Sequence, residues 1–229
     1  MREFILKEFY KVKLPLLVFI VASIFCIAWI YFDIKSGINK YTVSFYTLQV
    51  MFNKRFSYNH LDELNILFAV ILGFCSMFYE RQNARIRVQF HYPHTYTKNA
   101  LTITLIPLCF LLAVYISELV SVFFIFNSIF AIEITLALLS TLFYSAMFGV
   151  GLFLATQSIV IEPNLKKVFS IIFIVVTSLY LYFKINPDVG NSSLYYLNDM
   201  LYAYLSLWII FCVSSLILSL NNYKKGYIK

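Results

Sequence analysis

The sequence predicts an all-α, polytopic membrane protein of six transmembrane helices, and three observations carry that prediction. Of 229 residues, 61% are hydrophobic and 13% charged, with a mean hydropathy of +0.80. A soluble chain of this length cannot hide so much apolar surface. Apolar runs recur at 14–32, 61–79, 101–126, 134–156, 168–183 and 201–220. A helix needs roughly 20 such residues to cross a ~30 Å hydrocarbon core. Finally, lysine and arginine alternate in abundance from one connection to the next. The N-terminus has four, the loop after the second run four, the loop after the fourth two and the tail three, against four, none and one in the alternate set. Thirteen against five places both termini in the cytoplasm.

Residues 2–13 are too short and too mixed to span. Ile5, Phe9 and Val12 recur at helical spacing while Glu3, Lys7 and Lys11 gather on another side. That pattern suits a short helix lying in the membrane surface, with a merely basic flank as the alternative. The first span, 14–32, takes Pro15 in its first turn. In the following loop, 33–60, Phe45, Leu48 and Phe52 line one side of a short interfacial helix. The second span opens with Asp62 and Glu63, where a helix N-terminus favours negative charge. Asn127 and Ser128 mark the turn after the third span, and Glu133 precedes the fourth. Loop 157–167 carries Glu162, Pro163, Lys166 and Lys167. Loop 184–200 carries Pro187 and Gly190, and the tail ends in Lys224, Lys225 and Lys229. Trp29, Tyr180, Tyr182, Tyr202, Tyr204 and Trp208, near span ends, read as interfacial anchors.

The net charge of +7 sits beside apolar spans, where it meets anionic membrane lipid and not nucleic acid. The four cysteines each lie inside an apolar run with no CxxC, and read as small hydrophobes. His91 and His94 lack an acid or cysteine at ligand spacing, so no metal site is expected. There is no GxxxxGK[ST], HExxH or GxSxG motif, and no pair of intramembrane carboxylates. The chain therefore reads as no enzyme, without a cofactor of its own.

Glu118 is the single formal charge well inside a span. A carboxylate at mid-bilayer costs roughly 2.5–3.5 kcal/mol on insertion scales, so it must face protein or water. Tyr115 and Ser121 lie one turn away on the same side. The group lines a translocation path, is a neutral hydrogen-bonded packing residue, or snorkels toward the outer face from the upper half of the span. In the fourth span Ala137, Thr141, Ser145 and Gly149 form a stripe of small residues that lets helices approach closely. It serves packing within the subunit or a dimer seam.

Residues 79–100, YERQNARIRVQFHYPHTYTKNA, form the most basic connection. Glu80 and Arg81 close the second span, Arg85, Arg87 and Lys98 follow, and Pro93 interrupts before the third. Ile86, Val88, Phe90 and Tyr92 alternate with polar residues, as in a strand, but a helix is expected because the neighbouring spans are helical. This loop resembles the one in permeases of the ABC-2 transporter type, and the plan of six spans resembles that family over nearly the whole chain. The resemblance implies that Glu80, Arg81, Arg85, Arg87 and Pro93 couple the chain to a separate ABC ATPase subunit that carries ATP and Mg. It implies a second permease copy or a homologous permease, and export across the cytoplasmic (inner) membrane. With few intramembrane polar groups, a hydrophobic or amphipathic cargo is expected. A stand-alone secondary carrier or channel, and a non-transporting assembly factor, are the alternatives.

Overall fold

The computed structural model describes residues 2–53, 58, 60–82, 96–185 and 200–226. Among these there are seven helices and no strand: α1 (Arg2–Lys40), α2 (Val43–Asn53), α3 (Leu61–Arg81), α4 (Tyr96–Asn127), α5 (Ile132–Ile161), α6 (Leu165–Ile185) and α7 (Met200–Gly226). All but α2 are long and apolar enough to cross a membrane. Let the end at which α1 begins be the lower end. Lys7 near the start of α1 meets Glu80 at the end of α3, Arg81 meets Val160 at the end of α5, and Asn222 of α7 meets Glu162 just beyond α5. The long helices therefore run alternately up and down.

α5 is the central rod and packs against α3, α4, α6 and α7. Small residues make this closeness feasible. A Cβ added at Gly73 of α3 would lie 2.7 Å from the carbonyl oxygen of Phe153, so only glycine lets these two backbones meet. Phe148 of α5 stacks on Tyr182 of α6 at 4.1 Å and on Trp208 of α7 at 5.3 Å. α6 is the peripheral helix: Phe169 and Phe173 are 70% and 72% exposed. An upper apolar cluster joins Ile30 and Ile34 of α1, Val50 of α2, Val122 and Phe126 of α4, and Leu138 of α5.

The six long helices all run past their expected limits, α1 at both ends and α5 at its lower end among them. Residues 2–13 continue without a break into the first span, so Pro15 lies inside α1 and not in its first turn. In a membrane helix the carbonyl that proline deprives of its partner can be re-satisfied by neighbouring groups. Residues 33–40, expected as loop, are helical because Ile34 is buried and Gly37 leaves room for the Tyr46 ring. Residues 157–161 extend α5 because Gln157, Ser158 and Ile161 are buried against other helices. The short helix expected in the first loop is present as α2, with Phe45, Leu48 and Phe52 exposed along it.

Candidate functional site

Four glutamates are buried, Glu8, Glu80, Glu118 and Glu162, and two of them, Glu80 and Glu118, mark the main polar junctions. The first is Glu80, 1% exposed, in the last turn of α3. Lys7, Glu8 and Lys11 share one face of α1 and converge on it. Lys7 Nζ lies 3.0 Å from Glu80 Oε1, and Lys11 is ion-paired with the same oxygen. Lys11 also donates to Glu8, whose own side chain is buried. Arg81, one residue further, turns the other way and donates to the carbonyl oxygen of Val160 at 2.9 Å. That carbonyl belongs to the last turn of α5, where backbone acceptors lack intrahelical donors. The end of α3 is thus fastened to α1 by charge and to α5 by a hydrogen bond. Arg85, Arg87 and Pro93, and the strand-or-helix question at 86–92, lie outside the described residues, as do His91 and His94. Among the described residues no group of three or more potential metal ligands forms.

The second carboxyl is Glu118 of α4, 3% exposed. Ser23 of α1 donates to it and Asn65 of α3 hydrogen-bonds to it, so three helices meet at this side chain. Among the described residues no cation pairs with it. Tyr115, also buried, donates its hydroxyl to the backbone oxygen of Asn65 at 2.8 Å. A Cβ at Gly149 of α5 would collide with that hydroxyl, so the glycine is what admits the tyrosine. Ser121 is not part of this junction. Its hydroxyl donates back to the Ser117 carbonyl at 2.7 Å, and its side chain borders an outward-facing groove.

Within the stripe on α5, Thr141, Ser145 and Gly149 are buried inside the chain and Ala137 is half-buried. The Tyr58 hydroxyl donates to the Leu138 carbonyl at 2.8 Å and touches the Thr141 hydroxyl. Two of the expected interfacial anchors are instead core residues: Tyr182 and Trp208 are 0% and 4% exposed, because the Phe148 ring offers both a stacking surface. Trp29, Tyr180 and Tyr202 remain exposed.

The sequence reading missed a polar seam at the lower end. Gln157 donates to Ser76 of α3 at 2.9 Å, and Ser158 meets Ser215 and Ser219 of α7 at 2.7 and 2.9 Å. Asn222 donates to Glu162 at 3.0 Å. The signal was there: Ser215, Ser219 and Asn222 fall at i, i+4 and i+7, one polar face on an otherwise apolar helix.

The arrangement defines a class, an integral multi-pass membrane protein of six long apolar helices. Comparison with protein-family models, with curated proteins and with solved structures finds no match.

Proposed function

We propose that this chain is the transmembrane permease subunit of an ATP-binding-cassette transporter of the ABC-2 type. It pairs with a second copy or a homologous permease, stands on separate ATPase subunits that supply ATP and Mg, and exports a hydrophobic or amphipathic cargo across the cytoplasmic (inner) membrane. The lower end of the bundle faces the cytoplasm in this reading, consistent with its excess of lysine and arginine.

One observation carries the proposal, the double fastening of α3 at Glu80 and Arg81. A chain without a phosphate-binding loop needs an external engine for active transport. The basic connection that follows Arg81 is where such an engine would push. Glu80 passes that push to α1 through two lysines, and Arg81 passes it to the central rod α5. A connection hung on a loosely held helix end would dissipate the same displacement.

The test is reconstitution with the co-purifying ATPase. The intact chain stimulates ATP hydrolysis and moves cargo, whereas Glu80→Ala and Arg85→Glu insert normally but hydrolyse ATP without transport. Coupled transport in both variants overturns the docking role. A cysteine at position 89, in a background without native cysteines, stays unlabelled by an impermeant maleimide in intact cells. Labelling there places the connection outside and ends the proposal.

A further inference from the structure

We propose that the upper half of α1 holds one anionic diacyl phospholipid, its two chains in adjoining troughs and its phosphate on Lys35. This does not rest on the transport reading and needs no ATPase.

The first trough, about 450 Å³, lies between α1 and α4 and is walled by Ile24, Ile27, Ala28, Tyr31 and Phe32 with Ser121 and Ile125 opposite. The second, about 150 Å³, is walled by Phe25, Ala28, Trp29 and Phe32 on the outer side of α1. They share Ala28 and Phe32, so they are two furrows on either side of one ridge. Nearly all their walls are apolar, and the Ser121 hydroxyl is already committed to its own backbone. An apolar double furrow opening sideways from a membrane helix fits a pair of hydrocarbon chains.

The head of the furrows carries the charge. Ala28, Phe32 and Lys35 fall at i, i+4 and i+7, on one face of α1. Lys35 is exposed, lies 5.8 Å from the centre of the Tyr31 ring, and has no carboxylate partner among the described residues. Asp33 lies toward Tyr46 of α2, away from this face. The apolar stretch 14–32 spans about 28 Å at 1.5 Å per residue, so Lys35 stands at headgroup depth just above the hydrocarbon. A phosphate there neutralises the lysine, while the two chains of the same molecule descend past Phe32.

The second lysine–tyrosine pair at this end provides the control. Lys184 of α6 lies 5.5 Å from the centre of the Tyr180 ring, but neither furrow borders it. It shares the interfacial chemistry without the grooves.

Native mass spectrometry of the full chain in mild detergent, titrated with phosphatidylglycerol or phosphatidylcholine of identical chains, tests the assignment. The expected result is one retained phosphatidylglycerol per chain, bound more tightly than phosphatidylcholine. Lys35→Gln weakens phosphatidylglycerol about fivefold, the factor for about 1 kcal/mol from one basic residue at a membrane surface, and weakens phosphatidylcholine less, because its choline offsets the phosphate charge. Ala28→Phe, at an exposed position, fills the ridge between the furrows and weakens both lipids. Lys184→Gln changes neither. Equal retention of the two lipids by the intact chain, no effect of Lys35→Gln, no effect of Ala28→Phe, or an equal effect of Lys184→Gln each overturns the proposal.

Discussion

Glu80 and Glu118 are the same side chain at almost the same burial, 1% and 3% exposed, yet the protein satisfies them by opposite means. Glu80 meets two lysines from α1. Glu118 meets a serine hydroxyl and an asparagine amide, and no cation among the described residues. The difference follows position along the helices. Glu80 is the penultimate residue of α3, where α1 begins and both the part-exposed Lys7 and the largely buried Lys11 reach it. Glu118 lies within α4, where a lysine partner would itself have to enter hydrocarbon. At the bundle's end a charge is answered by charge, and within the span an acid is answered by neutral donors. A clamp of the first kind depends on the formal charge of its acid, whereas the second depends only on hydrogen-bonding shape.

Substitution separates the two kinds of clamp. The largest effect is expected for Glu80→Gln, which removes the carboxylate shared by Lys7 and Lys11 and leaves Lys11 with Glu8 alone. Breaking one side of a buried ion pair costs at most about 3–5 kcal/mol, read as a lowered thermal midpoint in detergent. Next comes Glu118→Ala, which strands the Ser23 and Asn65 donors and costs about 1–3 kcal/mol by the same measurement. Gly149→Ala pushes the Tyr115 hydroxyl off Asn65, with a loss of about 1 kcal/mol for the hydrogen bond. In a Tyr115→Phe background the same alanine costs measurably less, because the colliding oxygen is gone. The smallest effect is expected for Glu118→Gln, below about 1 kcal/mol, since the amide keeps an acceptor for Ser23. Equal losses for Glu80→Gln and Glu118→Gln would erase the distinction.

The six long helices were legible in the sequence because an apolar run of spanning length is at home in hydrocarbon and in few other places. Their ends were harder. Residues 33–40 and 157–161 look like loop in isolation, and only the burial of Ile34, Gln157 and Ser158 by other helices keeps them wound. Glu118 stood out as a lone charge, but its partners Ser23 and Asn65 come from helices far off in sequence and look like ordinary polar residues there. Glu80 and Arg81 were noticed as a pair. That they pull in opposite directions, toward α1 and α5, depends on which helices flank α3, and no spacing rule contains that. Tyr182 and Trp208 were misread because an aromatic near a span end has the same local pattern whether it faces lipid or the Phe148 ring.

α1 has a further consequence through its length. Its 39 residues form a rod of about 58 Å, far longer than the bilayer core is thick. The rod is gripped at Lys7 and Lys11 near one tip, and α2 rests on Ile34 near the other. Held in this way it is a lever: a swing of roughly 5° about the lower grip carries the upper tip about 4 Å. A spin label on Phe52 would therefore register, on one face of the membrane, an event that began on the other.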